Sequence, residues 1–446
     1  MNKNDIVRGR CISHTYDGLG VVKVDNIPIF VKGLIIDEEA EIRIINMKKS
    51  FGYGKLEKLI SVNENRSTPK CKLANKCGGC HIQHMKVNQQ GKFKTDIVKE
   101  LMQRIAKRDI KVNNIIDCTS HYYYRNKVQI PIGYEHGEVI MGFYRTHSNQ
   151  IIDMDECVNQ SKVLNEISLY FKSLLKKYKN YSSFRHLLLK HGFNTDEVMV
   201  VLIVKDSKVK NLDSMIKDLT ANFECIKSVI LNINNRDDNV ILGDEEKLLY
   251  GNDRIFDTID DIKFSISSKS FYQINPIQTN VLYNQVLKAI NPKGNERVLD
   301  LYCGVGTISL YLAKHVKEVV GIEIVKEAID DAKLNATLNN MSNVDFICSD
   351  SGEYAQDVAK HNAKFDVIVV DPPRKGLDSK SIDAILRMSP DKIVYVSCDP
   401  STLARDISLI PKDEYRVEYI QPIDMFPNTY HVECVALISK IIINES

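Results

Sequence analysis

From Ile6 to Ile60 apolar and polar positions alternate in short runs, with IPIFV and EIRII each placing every second side chain on one face and DGLG and DN punctuating the runs. Period-two alternation marks half-buried strands, and this spacing predicts a small five-stranded barrel of the oligonucleotide-binding kind. Beyond Asn63 the pattern is mixed. KVLNEISLYFKSLLKKY carries Leu164, Ile167, Phe171 and Leu174 at helical spacing, whereas EVMVVLIV and CIKSVILNIN are unbroken apolar runs that read as buried strands. From Phe264 onward strand and helix signals alternate: RVLDLY precedes a glycine turn and a helix, VVGIEI precedes VKEAIDDAKLNATLNN, and VDFICSD, DVIVVDPP and IVYVSC each precede another helical segment. That order predicts a parallel doubly wound sheet with ligands at the carboxyl ends of its strands. The chain is thus read as α/β, with a small β-barrel over 1–62, a central α+β domain over 63–260 and a Rossmann-like domain over 261–446.

Length and composition narrow the class. With 446 residues, 43% hydrophobic and 26% charged, the chain can bury more than one core. A net charge of +2 is too small to announce nucleic acid, although Lys23, Lys32, Arg43, Lys48, Lys49, Lys55 and Lys58 give the barrel a local basic character. MNKNDIVRGRC has no apolar signal-peptide core and no run of about 18 apolar residues occurs, so the expectation is a cytoplasmic protein with no membrane partner. In that compartment the 11 cysteines are thiols, metal ligands or catalytic groups rather than a disulfide framework.

Two stretches carry the candidate chemistry. In VLDLYCGVGTISL, Gly304 and Gly306 allow a tight strand-to-helix turn, but the pattern is neither GxGxxG nor a phosphate-cradling loop with its lysine. Glu323, Asp350 and Asp371 follow at successive strand ends, which is the layout of an S-adenosylmethionine-dependent methyltransferase. In KIVYVSCDPSTLARD, a strand over Ile393–Ser397 and a helix over Ser401–Ile410 leave Cys398 at the strand's carboxyl edge, where Asp399 and Pro400 force a turn. Asp371 belongs to DPPR; enzymes that methylate an exocyclic amine commonly put an aromatic residue where Arg374 stands, and they need no cysteine. Carbon 5 of uracil does need one, because thiolate addition at C6 makes C5 nucleophilic. A base must then take the C5 proton, and Glu433 in HVECV is the candidate. Cys303, Cys348 and Cys434 lack an Asp-Pro turn and are read as small buried hydrophobes.

CKLANKCGGC spaces Cys71, Cys77 and Cys80 as C-x5-C-x2-C, and Cys157 follows DMDE. Four thiolates suit tetrahedral zinc or an iron-sulfur cluster, and spacing does not separate the two. HYYYRNKVQ and GFYRTHSNQ mix aromatic and basic residues, so their rings either stack on bases, with Arg125, Lys127 and Arg145 on phosphates, or form a buried strand pair.

Together SFYQINP, DLYCGVGT, VVDPPRKG, VSCDP and HVECV resemble the RNA uracil-C5 methyltransferases, and the N-terminal barrel resembles a TRAM domain, so the likeness spans nearly the whole chain. It is strongest to the bacterial enzymes acting on 23S ribosomal RNA. The resemblance implies S-adenosylmethionine as methyl donor, Cys398 as nucleophile and Glu433 as proton acceptor. It also implies cofactor contacts at Gln273, Tyr302, Thr307, Glu323, Asp350 and Asp371, and a [4Fe-4S] cluster on Cys71, Cys77, Cys80 and Cys157. Asp399 departs from the asparagine frequent in the family, which bears on positioning of the target base. The implied partner is ribosomal RNA and the favoured state a monomer. Shorter transfer-RNA uridine enzymes generally lack the barrel and the cluster; the same chemistry on transfer RNA, or a non-catalytic RNA-binding scaffold, are the alternatives.

Overall fold

The computed structural model describes residues 1–179, 181–236, 238–361 and 364–442. The N-terminal strands β1 (Ile6–His14), β2 (Leu19–Val24), β3 (Ile27–Lys32), β4 (Glu39–Met47) and β5 (Gly52–Leu59) close into a barrel of order β1-β2-β3-β5-β4, with β4 pairing back onto β1. The alternation has the expected effect: Ala40, Ile42 and Ile44 of β4 point inward with Cys11, Val22, Ile29 and Val31, while Glu41 and Arg43 of β4 are half-buried on the other face. Below the barrel the fully buried Glu38 is gripped by Arg66, whose Nε and Nη2 donate to its two oxygens (2.6 and 2.5 Å).

The helix α1 (Val87–Leu101) follows, and a single π-type turn over Met102–Ala106 extends it. A central seven-stranded sheet is built from β6 (Lys127–Glu135), β7 (Glu138–Tyr144), β8 (Ile151–Asp153), β9 (Phe184–Gly192), β10 (Glu197–Val204), β11 (Ile226–Ile233) and β12 (Glu245–Gly251), in the order β12-β11-β10-β9-β6-β7-β8. The helices α2 (Lys162–Tyr178) and α3 (Leu212–Asn222) cover one face. On the other lies the hairpin β13 (Ile255–Ile259) and β14 (Ile262–Ile266). This sandwiching explains the unbroken apolar run of β10: Val198, Val200, Leu202 and Val204 pack with α2 and α3, whereas Met199, Val201 and Ile203 pack toward the hairpin.

After α4 (Pro276–Ile290) come β15 (Arg297–Leu301), α5 (Thr307–Ala313), β16 (Glu318–Glu323), α6 (Lys326–Leu338), β17 (Val344–Cys348), α7 (Ser351–Lys360), β18 (Val367–Val370), α8 (Ser379–Met388), β19 (Lys392–Ser397), α9 (Pro400–Leu409), β20 (Tyr415–Ile423) and β21 (Glu433–Lys440). The sheet order is β17-β16-β15-β18-β19-β21-β20, parallel except for β21, which runs antiparallel between β19 and β20. Helices α4, α5 and α6 cover one face and α7, α8 and α9 the other, the doubly wound plan. The segment carrying α1 precedes the central sheet in the chain but packs in space on this last sheet: Phe93, Ile97, Val98 and Leu101 join the core of α8 and α9. Just after it, Asn113 and Ile116 donate backbone N–H bonds to the carbonyls of Ile420 and Pro422, covering the exposed edge of β20. Among the described residues no helix is long and apolar enough to cross a membrane.

Candidate active site and cysteine cavity

Parallel strands deliver their carboxyl ends to one edge of the sheet, and the antiparallel β21 delivers its beginning to the same edge. Tyr302 follows β15, Glu323 ends β16, Asp350 lies two residues past β17, Asp371 follows β18, Cys398 follows β19 and Glu433 opens β21. Strand order reverses between β15 and β18, so a crevice opens there with Tyr302 and Asp371 on its two sides.

The glycine turn shapes one wall. Gly306 has φ +80°, and a Cβ there would stand 2.6 Å from Phe346 Cζ, so only glycine lets the chain pass over that ring into α5. Tyr302 is also left-handed (φ +67°), and its N–H donates to Ser351 Oγ (3.2 Å). Glu323 is pinned by two backbone amides, Gly304 N–H on Oε2 (3.2 Å) and Val325 N–H on Oε1 (3.0 Å). Asp350 caps α7, taking Gly352 and Glu353 N–H on Oδ1 alone (2.9 and 3.0 Å). Thr307 opens α5 and its hydroxyl accepts from the buried Tyr283 hydroxyl (2.7 Å). Gln273, half-buried in the loop before α4, is tied to the central domain through its carbonyl, which accepts from Asn126 Nδ2 (2.9 Å).

Register brings the two candidate reacting groups together. Ser397 pairs with Cys434, so the next facing positions are Cys398 and Glu433. Burial raises the Cys398 thiol to about 12, and the carboxylates of Glu433 and Asp371 add to the effect while Arg374 opposes it. Glu433, 4% exposed, is pushed well above the usual carboxylate range by burial and by Asp371. Asp371 itself is raised to about 7 by burial and by Asp300, a fully buried residue also raised to about 7 whose one bonded oxygen takes Ser309 Oγ–H (2.5 Å). A thiol and three carboxyl groups thus share one poorly solvated edge. Asp399 caps α9 through Ser401 N–H (2.9 Å), which fixes the turn after the thiol.

The second cluster lines a cavity of about 770 Å³ between the central domain and the loop before α4. Cys71, Cys77, Cys80 and Cys157 all face it, and the thiol of Cys77 is raised by burial first, with Cys157 and Cys71 adding to the effect. N–H groups already point at sulfur, among them Leu73 N–H at Cys71 (3.4 Å), Gly79 N–H at Cys77 (3.3 Å), Asn159 Nδ2–H at Cys80 (3.2 Å) and the backbone amides of Asn159 and Gln160 at Cys157. Among the described residues no group of three or more histidine, cysteine or acidic side chains stands in metal-coordinating geometry. Arg125 turns into this cavity beside Cys80 and Cys157. Of its aromatic neighbours, Tyr124 is buried and donates to the Pro427 carbonyl (3.0 Å), while Lys70 lies over the rings of Tyr122 and Tyr123.

Several residues near the crevice carry no local sequence signal. Tyr16, from the β1–β2 turn of the barrel, packs edge-on against Tyr430 (5.4 Å between ring centres), and Tyr430 lies against His81 (4.5 Å) and His431 (4.2 Å). Burial lowers both imidazoles to about 4, so at neutral pH these rings are uncharged. Lys94 of α1, fully buried, pairs with Asp424 (2.5 Å) and donates to the Phe426 carbonyl (3.1 Å). Cys303 and Cys434 are buried as expected, but Cys348 is exposed, because it ends the sheet's edge strand where no neighbour covers it.

The fold and crevice define a Rossmann-type methyltransferase carrying an added barrel. Residues 86–441 match the family described as tRNA (Uracil-5-)-methyltransferase. An RNA methyltransferase of Clostridium tetani is 43% identical over 430 residues, 95% of this chain and 94% of that protein, and one of Staphylococcus aureus (strain MW2) is 42% identical over 98% of each. Among solved structures, the Pyrococcus abyssi tRNA (uracil-54, C5)-methyltransferase in complex with S-adenosyl-L-homocysteine superposes with a TM-score of 0.78 at 28% identity, covering 97% of this chain and 99% of that one. The chain therefore belongs to the RNA uracil-5 methyltransferase family, whose members are S-adenosylmethionine-dependent enzymes.

Proposed function

We propose that this enzyme methylates C5 of a uridine in 23S ribosomal RNA, with Cys398 as nucleophile and Glu433 as base. The observation that carries the reading is the facing of these two residues across β19 and β21, beside Asp371 and Arg374. A non-catalytic scaffold needs neither group. S-adenosylmethionine, when bound, supplies an electrophilic methyl; Tyr302, Thr307, Glu323, Asp350, Asp371 and Gln273 are the residues that would hold it. Cys398 gives its proton to water as its sulfur bonds to uracil C6, and the electron pair of the C5–C6 bond moves into the resulting enolate, which makes C5 nucleophilic. A donor held there would give its methyl group to C5 and leave as the neutral thioether. Glu433 takes the C5 proton, and the returning electron pair expels the Cys398 thiolate, leaving 5-methyluridine. Burial raises Glu433's affinity for the proton it takes from C5, and it holds Cys398 as the thiol before substrate binds.

Cys71, Cys77, Cys80 and Cys157 would hold a [4Fe-4S] cluster, with zinc as the other occupant that four thiolates suit. What supports this is the chemistry of the donor set: four thiols line one cavity, and N–H groups aim at their sulfurs as they do around metal-bound thiolates. A fully cysteine-ligated cluster leaves no position for substrate, so its role is structural or in contacting RNA.

Transfer RNA is the second reading, and one finding favours it: the Pyrococcus abyssi tRNA enzyme spans this chain from end to end, so the presence of a barrel-length N-terminal region does not separate the two substrates. Motif likeness to the ribosomal enzymes supports the first reading. Tritium release from RNA carrying 5-tritiated uridine tests both, with wild type and Cys398→Ala. Release from ribosomal RNA by wild type alone supports the proposal. Release only from transfer RNA moves the substrate, and silence on both refutes C5 chemistry.

A further inference from the structure

We propose that Asn428, acting through Asn159, is a positioning residue that ties Cys80 to the strand start carrying Glu433; this rests on the function proposed above. Asn428 lies in the connection from β20 to β21, five residues before the base. Thr429 N–H donates to the Phe426 carbonyl (3.2 Å), Pro427 takes the second position and Asn428 the third with φ +68°, the arrangement of a type II turn. Asparagine tolerates that backbone, but glycine does so more readily, so conformation alone does not account for the side chain.

The hydrogen bonds do. Asn428 is 1% exposed and both ends of its amide are bonded. Its N–H donates to Gln90 Oε1 (2.9 Å) and its Oδ1 accepts from Gln90 Nε2 (3.4 Å). Its carbonyl accepts from the N–H groups of His81 and Ile82 (3.0 and 3.2 Å), the two residues after Cys80. Its Nδ2 donates to the His121 carbonyl (2.8 Å) and to Asn159 Oδ1 (3.1 Å). Asn159, 2% exposed, turns its own Nδ2 onto Cys80 Sγ (3.2 Å). A chain of side chains therefore runs Cys80–Asn159–Asn428, and a second route through the His81 and Ile82 amides runs beside it. Beyond Asn428, Tyr430 and His431 pack against His81, and the strand begins with Glu433.

Each link constrains the next. As a metal ligand Cys80 sulfur is a charged acceptor, and charge-assisted bonds are the stronger kind. It holds Asn159 with its amide nitrogen toward sulfur and its oxygen toward Asn428. A buried amide has few alternative partners, so the orientation passes to the turn and from there to the base. Loss of metal slackens the first link, and the effect reaches Glu433 without any contact between the cavity and substrate.

Asn428→Gly keeps the left-handed backbone and deletes the bridge; Asn428→Asp keeps the shape and turns an acceptor toward Asn159 Oδ1 and the His121 carbonyl. Hydrogen exchange of amides 429–434 is measured in the full chain, metal-loaded and after chelation. Expected in wild type is about tenfold faster exchange after metal removal, the ~1.4 kcal/mol of one buried hydrogen bond. Metal-loaded Asn428→Gly exchanges faster than metal-loaded wild type, and chelation speeds it by less than it speeds wild type, since only the backbone route through His81 and Ile82 remains. On substrate RNA both variants accumulate methylated covalent adduct, with kcat about tenfold lower and KM for S-adenosylmethionine within twofold. Wild-type exchange indifferent to metal overturns the coupling whether or not the variants fold, as do variants with wild-type exchange and no adduct build-up. A wild type that forms no adduct at all overturns the functional reading instead, and the exchange result still decides the coupling.

Discussion

Glu433→Gln changes one charge and almost no shape, so it isolates what the carboxylate does to the thiol opposite it. Burial is the first cause of the rise of Cys398 to about 12, Glu433 the second and Asp371 the third. Facing side chains on paired strands lie roughly 5–6 Å apart, and a unit charge at that distance with an effective dielectric of about 20 is worth ~3 kcal/mol. Cys398 is half-buried, so water screens part of this and a working figure of ~1.4–2.8 kcal/mol follows. That is about ten- to a hundredfold more thiolate, and alkylation by iodoacetamide at pH 9 should quicken by that factor. The thiol should stay less reactive than an ordinary one, because burial and Asp371 persist. The sign of the pH dependence is fixed as well. Glu433 binds its proton well above the usual range, and a protonated glutamic acid is as neutral as glutamine. The gap between variant and wild type should therefore open as pH rises through the titration of Glu433 and close toward acid. Quantifying the Cys398 peptide by mass spectrometry, with exposed Cys348 as the reference rate, reads this directly. Equal rates at pH 9, or a gap that widens toward acid, would refute the electrostatic account.

Three further outcomes are expected. Lys94→Met strands the Asp424 carboxylate, 2% exposed, without its cation and should cost about 3–5 kcal/mol in urea unfolding; adding Asp424→Leu should recover most of it. Asp300 rises from 3.8 to about 7, so between those values the native state keeps a proton that the unfolded chain has released, and stability falls as pH rises from about 4 to 7. Asp300→Asn should flatten that fall by up to about 4 kcal/mol, visible in unfolding midpoints at pH 5 and 8. Cys77→Ser should lose bound metal and thermal stability, while Cys398 in the folded fraction is alkylated no more slowly than in wild type; full metal content in that variant would contradict the four-cysteine site.

Local pattern carried most of the secondary structure. The barrel alternation, the buried run of β10 and the strand-turn-helix around Cys398 are all periodicity or turn chemistry, and strand β19 and helix α9 fall within a residue of expectation at each end. Cys398 and Glu433 were each legible as ends of strands, but their facing was not, because it depends on β21 entering the sheet antiparallel between β19 and β20. The docking of α1 on the last sheet was hidden for a related reason: its apolar stripe shows that a face is buried, never against what. Lys94 reads as one more solvated lysine until Asp424 is placed beside it. Arg125, expected either on phosphates or in a strand pair, lines the cavity that holds the thiols, a placement no local pattern shows.

The connection between β20 and β21 also sets a timetable for synthesis. Its partners at His81, Gln90, Lys94, His121, Tyr124, Asn159 and Asn275 all leave the ribosome long before it does. Lys94 and Asp424 are 330 residues apart, so at about 5–20 residues per second the ammonium waits roughly 15–65 s for its carboxylate. Until then the nascent barrel and central sheet can form, but the polar groups they will share with this turn stay hydrated, and β19 and β20 wait for the strand that pairs with both. The enzyme's competence is therefore acquired in one late step, when its last strand slides between two already made.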